Sequence, residues 1–121
     1  MLVVNRFVLD ADAGQGTDVE GDLMTRAREA LAALAASPGF VRGEIGRAYD
    51  DPAYWILATE WESVGAYRRA LGRFDVRVGA APLLADSQNE PSAYETLART
   101  AGDGAVTTSL SDRSRDPAAD R

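Results

Sequence analysis

The sequence lacks the residue types that most enzymes use for acid–base, nucleophilic and metal chemistry. Its 121 residues include no histidine and no cysteine, and all 13 basic residues are arginine, so lysine is absent as well. These absences remove the usual general base, the thiolate nucleophile, the Schiff-base amine, and the nitrogen and sulfur ligands of zinc or haem. We therefore expect no metal site and no bound cofactor. If the protein is an enzyme, its substrate must supply most of the reactivity.

The charge and the hydrophobic pattern exclude several further classes. The formal net charge is −6, so there is no basic surface for nucleic acid or for an anionic membrane. No apolar run approaches the roughly 18 residues of a membrane-spanning helix. The first ten residues lack the features of a secretory signal peptide, and without cysteine there are no disulfides to indicate export. We expect a cytoplasmic protein with a single domain.

The order of periodic segments predicts two β-α-β units. Strands are expected at residues 2–9, 40–49, 54–61 and 92–97, and residues 75–89 are expected to be irregular. The first helix should begin at Thr17, with Glu20 completing a capping box, and end at the Ser37-Pro38-Gly39 sequence. The second helix should follow Ser63, with apolar residues at helical spacing: Val64, Tyr67, Leu71 and Phe74.

This element order predicts an α+β, ferredoxin-like fold. Right-handed crossovers give a four-stranded antiparallel sheet with both helices on one face. We expect this domain to span residues 1–98 and a polar tail to span residues 99–121. The first and third strands are apolar on both faces, and two helices cover only one. The uncovered face would expose a patch too large for a monomer, which predicts a homodimer packed sheet to sheet; the patch comprises Leu2, Val4, Val8 and Ile56.

The other face carries the candidate site. Aromatic and aliphatic residues with one amide share it, and they would surround one volume suited to a flat aromatic ligand: Asn5, Phe7, Trp55, Leu57, Trp61, Tyr67, Leu71 and Phe74. Arg47, at the end of the second strand, is a candidate partner for an anionic group. The same spacing also fits a completely filled core, so the sequence leaves both interpretations open.

Several segments resemble one known family. They are the opening strand VVNRF, the turn SPGFV at residues 37–41, the hairpin around Asp51-Pro52, and the segment YWILATEWESVGAYRRAL at residues 54–71. The most specific part is the spacing from Trp61-Glu62-Ser63 to Tyr67. Together they resemble the antibiotic biosynthesis monooxygenase superfamily of dimeric ferredoxin-like barrels, over residues 1 to about 97.

The resemblance implies a cofactor-independent monooxygenase that oxidises a phenolic or polyketide-like aromatic to a quinone with O2. On that reading Trp61 forms the wall of the site and offers its indole N–H, while Tyr67 and Asn5 hold substrate oxygens. Phe7, Trp55, Leu57, Leu71, Phe74 and Arg47 would complete the substrate site. A pocket histidine often found in these enzymes has no counterpart here, which favours a substrate that ionises without a protein base.

Two other interpretations follow from the same resemblance. One branch of the superfamily degrades haem with a strand asparagine, a strand-end tryptophan and a histidine ligand. Asn5 and Trp61 match the first two, but the chain has no histidine to bind the iron, so we reject haem degradation. The alternative is a non-catalytic dimeric barrel that binds a small molecule or serves as an accessory subunit. A cavity of about 300 Å³ or more would favour ligand binding over a filled core.

Overall fold

The computed structural model describes residues 1–10 and 18–110, and it confirms the predicted α+β, ferredoxin-like fold. Four strands form one antiparallel sheet in the order β2-β3-β1-β4. Their bounds are β1 Leu2–Val8, β2 Phe40–Arg47, β3 Tyr54–Trp61 and β4 Ala93–Tyr94. The helices are α1 Val19–Ala35, α2 Val64–Leu71, α3 Phe74–Gly79 and α4 Ala81–Leu84. No helix among the described residues is long and apolar enough to cross a membrane.

The turns between elements follow from local chemistry. Asp18 caps the start of α1 by accepting a hydrogen bond from the Gly21 N–H, whereas the predicted cap, Thr17, lies outside the described residues. The predicted stop after α1 is confirmed. Gly39 there has φ of +87°, and a Cβ atom on it would lie 2.4 Å from the Cβ of Ala66, so only glycine fits.

The side chains of β1 and β3 lie on the two faces of the sheet as the alternation of residues along each strand predicts. In β1 and β3, Val3, Phe7, Trp55 and Leu57 are buried on the face that the helices cover. Their chain neighbours point the other way and are substantially exposed: Leu2, Val8, Tyr54 and Ile56. In the single chain these four residues form uncovered apolar surface on the outer face of the sheet, which also carries Arg6 opposite Ile56.

Three predictions about the second half of the chain are wrong. The helix after Ser63 does not continue to Phe74, because it ends at Leu71 and the backbone of Arg73 is extended (φ −73°, ψ 143°). Residues 75–89 are not irregular, since α3 and α4 occupy much of this span. The last strand of the sheet contains only two residues, Ala93–Tyr94, rather than residues 92–97.

A small hairpin follows the sheet. Two further strands, β5 Ala98–Arg99 and β6 Thr107–Thr108, pair antiparallel, and β5 lies across the boundary expected at residue 98. We call residues 95–110 the C-terminal arm. The arm is exposed, but Arg99 Nη2 lies 3.0 Å from Glu60 Oε2, and Glu60 is buried on the outer sheet face. The Arg42 Nε–H also donates to Glu60, at 2.9 Å, so two arginines offset this carboxylate charge.

Candidate functional site

Trp61, at the end of β3, lies at the centre of an aromatic cluster. Ser63 begins α2 by accepting a hydrogen bond from the Ala66 N–H at 3.0 Å, and this cap places Tyr67 one turn into the helix. The ring centroids of Trp61 and Tyr67 are 5.5 Å apart, with the planes tilted by 55°. Phe40 packs edge-on against Trp61 at 5.3 Å. The predicted neighbourhood of Trp61 and Tyr67 is thus present.

The indole N–H of Trp61 already has a partner within the chain. It donates to Thr59 Oγ1 at 2.9 Å, and both side chains are buried. Trp61 is only 1% exposed, so its ring is held rigidly by its neighbours and presents almost no free surface in the single chain. An oxygen-side donor role for this N–H would require Thr59 to give up the bond.

The Tyr67 hydroxyl is the polar group of the cluster that remains available. Its side chain is half-buried, and the hydroxyl makes no hydrogen bond with the described residues. Burial raises the pKa of Tyr67 above its ordinary value of 10.0, because the charged phenolate is less well solvated there. At neutral pH this group is a protonated phenol that can donate one hydrogen bond.

Asn5 is buried on the same face but lies away from Trp61. It pairs with Leu57, four residues before Trp61, which corresponds to about 13 Å along the strand. Val3 and Thr59 form the row between them. Asn5 is 7% exposed, and its side-chain amide makes no hydrogen bond with the described residues. The amide is therefore free to bind, but it does not share a contact surface with Trp61.

A second aromatic group occupies the opposite end of the face. Trp55 pairs with Phe7, and its indole N–H donates to the Pro52 carbonyl at 3.0 Å. The guanidinium of Arg47 lies 5.6 Å from the centre of the Trp55 ring, and it pairs with Glu20 at 3.6 Å. Arg47 is therefore near the predicted aromatic residues, but remote from Trp61 and Tyr67.

The two remaining predicted lining residues lie at the surface. Leu71 is 37% exposed and Phe74 is 77% exposed. The helix break at Gly72 and Arg73 explains Phe74, because the residue no longer follows Leu71 at helical spacing. In the single chain the predicted residues thus form two buried clusters with two surface residues beside them, rather than one lined volume.

A cavity of about 640 Å³ opens on another side of Trp61, between the β3–α2 junction and the C-terminal arm. The junction contributes one wall, formed by Met1, Trp61, Glu62, Ser63, Val64 and Arg68. The end of β4 and the arm contribute the other, which includes Tyr94, Glu95, Thr96, Arg99, Ser109 and Leu110. Neither Asn5 nor Tyr67 lines it. The volume lies within the usual range of ligand pockets.

Sequence reasoning missed the arm side of this cavity. The polar composition after residue 98 pointed to a tail without a core, and it carried no pattern that would bring the tail back to the sheet. One signal was present, since Glu60 is a charged residue in a strand that is otherwise apolar on both faces. A buried carboxylate needs a cationic partner, and here Arg99 provides one from the arm.

Solved structures give the informative comparison, because no protein-family model and no curated protein matches the sequence. The chain is similar to SnoaB, a cofactor-independent oxygenase from Streptomyces nogalater. In a single-residue mutant of SnoaB the identity is 27% and the TM-score 0.60, over 79% of this chain and 94% of SnoaB. A second SnoaB structure gives 28% identity and a TM-score of 0.58 over the same shares.

More distant structures share the fold alone. An antibiotic biosynthesis monooxygenase is 16% identical, with a TM-score of 0.55 over 77% of this chain and 92% of that one. Rv0793 from Mycobacterium tuberculosis is 17% identical, with a TM-score of 0.55 over 76% of this chain and 86% of that one. Each of these matches covers at least 76% of this chain, which is far more than an isolated motif.

Proposed function

Because the chain belongs to the antibiotic biosynthesis monooxygenase superfamily, we propose that it is a cofactor-independent monooxygenase acting on a phenolic or polyketide-like aromatic. The observation that carries this proposal is the similarity to SnoaB, at 27–28% identity over 94% of that oxygenase. The aromatic cluster around Trp61 supports it, because Tyr67 offers an unengaged hydroxyl beside a rigid indole wall.

The proposed reaction is balanced without an external reductant. One atom of O2 enters the aromatic ring as the new quinone oxygen, and the other leaves as water with the two hydrogens that the substrate loses. The substrate supplies all four electrons that O2 accepts. A phenolate or enolate is electron-rich enough to reduce O2 directly, so the protein has to orient it and stabilise negative charge on oxygen.

The side chains divide this work between them. The protonated Tyr67 hydroxyl donates to a substrate oxygen on which charge develops, and burial keeps that hydroxyl neutral. Trp61 positions the aromatic ring, and Asn5 binds a second oxygen of an extended substrate. Phe7, Trp55 and Leu57 complete the apolar surface, with Leu71, Phe74 and Arg47 at its margins.

The proposal includes a homodimer in the cytoplasm. The exposed outer face of the sheet supports the dimer, because Leu2, Val8 and Ile56 are each about 40% exposed in the single chain. A second copy packed on this face would bury them. A small aromatic is the other proposed partner, and we propose no binding to nucleic acid or to membranes.

The test is protein-dependent oxygen consumption by metal-free protein with di- and trihydroxyaromatics, naphthols and anthrones. We expect Tyr67→Phe to lower the turnover rate about 100-fold, as the loss of one donor to a developing oxyanion does elsewhere. Trp61→Phe should abolish turnover while the protein stays folded. Tyr49→Phe is the matched control, since Tyr49 is fully exposed.

The outcomes separate the two functions that the fold allows. Unchanged turnover in Tyr67→Phe would remove Tyr67 from the mechanism, and wild-type turnover in Trp61→Phe would remove Trp61. If no compound supports oxygen uptake but an aromatic ligand still binds tightly, the protein is a binding or accessory barrel. The cavity of about 640 Å³ favours that alternative over a protein with no ligand.

A further inference from the structure

The cavity beside the C-terminal arm has walls of two chemical kinds. Val64 and Leu110 contribute aliphatic surface, and Tyr94 contributes an aromatic ring. The Tyr94 hydroxyl is already engaged, because it donates to the Pro91 carbonyl at 2.8 Å. What these three side chains offer a ligand is therefore mainly apolar surface, which suits a flat hydrocarbon or aromatic body.

The charged residues of the cavity are not equivalent. Arg99 is paired with Glu60 at 3.0 Å, and Glu95 has an interaction of its own. The Glu62 carboxylate lies above the turn after α1, where its Oε2 is 3.8 Å from the position of a Cβ on Gly39. Gly39 is not among the residues that line the cavity.

Arg68 is the arginine of the cavity whose guanidinium remains available to bind a ligand. It lines the cavity from the second turn of α2, and it makes no ion pair or hydrogen bond with the described residues. A guanidinium group carries several N–H donors in one plane, which match the two oxygens of a carboxylate or an ionised oxygen beside a carbonyl. The other cation that lines the cavity, the N-terminal ammonium of Met1, donates to the Trp61 carbonyl at 3.0 Å. The cavity thus combines an apolar surface with the unpaired guanidinium of Arg68.

We propose that this cavity binds a planar aromatic acid, with the ring system between the arm and the β3–α2 junction and the anionic oxygen on Arg68. The site is separate from Tyr67 and Asn5, which do not line it. It is a second aromatic site beside the proposed oxygenase site, and the two sites have Trp61 in common.

The experiment compares two nearly isosteric probes by titration calorimetry on the full chain. 2-Naphthoate carries the charge, and naphthalene-2-carboxamide does not. We expect the naphthoate to bind at least about fivefold more tightly than the carboxamide, and Arg68→Gln to remove this preference. The affinity for the carboxamide should not change. Arg77→Gln is the control, because Arg77 is exposed on α3 and does not line the cavity.

Each other outcome overturns the inference. Equal affinity of the wild-type protein for the two probes would show that no cation selects the ligand. A preference for naphthoate that survives in Arg68→Gln would place the charge elsewhere. No heat of binding from either probe at millimolar concentration would show that the cavity is not an aromatic site. These results are independent of oxygen consumption, so failure of the oxygenase proposal would be seen separately.

Discussion

The two faces of one sheet differ more than the sequences of its strands do. Val3 and Leu57 on the inner face are each 1% exposed, whereas their chain neighbours Leu2 and Ile56 are 40% and 39% exposed. All four are aliphatic residues in the same two strands. The difference shows that the pattern of apolar residues along a strand predicts which side chains share a face, whereas the exposure of each face depends on what packs against it. In the single chain the helices pack against the inner face.

The outer face is itself divided into a covered and an uncovered part. Glu60 is buried there because Arg42 and Arg99 approach it from β2 and from the C-terminal arm. Tyr54 and Ile56, further back along β3, have no such cover. The arm thus protects one end of the outer face by charge pairing, and the remaining apolar part is the surface that we assign to a second copy.

Ile56→Arg should have the largest effect, because it places a charge at the centre of the proposed sheet-to-sheet interface. An unpaired buried charge costs about 3–5 kcal/mol, so the dissociation constant of the dimer should rise by more than about a hundredfold. The measurement is molar mass by light scattering over a dilution series, with circular dichroism to confirm folding.

Val78→Arg is the control for this change, because Val78 is 62% exposed and lies on α3, away from the sheet. It should leave the dimer intact. A dimer of unchanged strength in Ile56→Arg would show that the outer face is not the interface. A monomeric wild-type protein at micromolar concentration would contradict the homodimer itself.

Leu57→Ala tests the inner face and should have the next largest effect. Leu57 is 1% exposed and sits between Asn5 and Ile45 in the sheet, so the truncation leaves a cavity in the core. We expect the free energy of unfolding to fall by about 3 kcal/mol, measured by chemical denaturation. A loss below about 1 kcal/mol would indicate that this face is open and able to collapse, as a lined pocket would be.

The fold was predictable because it depends on patterns that are local in the chain. Ser63 was expected at the start of the second helix, and the structure shows its hydroxyl accepting from Ala66. A hairpin was expected around Asp51-Pro52, and in the structure Asp51 accepts hydrogen bonds from the backbone N–H groups of Ala53 and Tyr54. Side-chain alternation then assigned the faces of β1 and β3 correctly, since a strand has only two faces.

The site was less predictable because it depends on contacts between segments that are distant in sequence. Shared periodicity placed Trp61 beside Tyr67, but it could not show that Asn5 lies about 13 Å away along the strand. Phe74 fits the helical spacing in the sequence, but in the structure the helix ends before it, and the extended backbone at Arg73 directs it to the surface. The cavity wall formed by Arg99 and Leu110 required the arm to fold back, which no local pattern indicated.

The smallest expected effect concerns the ionisation of Tyr67, which packs on the inner side against Trp61. Its pKa is raised above 10.0 by burial, so the folded state holds this proton more tightly than the unfolded state does. The stability that the neutral hydroxyl contributes is therefore complete below pH 10 and is lost as the pH rises through the folded-state pKa. Phenolate absorbance of the wild type minus that of Tyr67→Phe should give a midpoint above pH 10. A midpoint at or below that pH would mean that solvent reaches this hydroxyl freely, and the preorganised neutral donor that we assign to the oxygenase site would be lost.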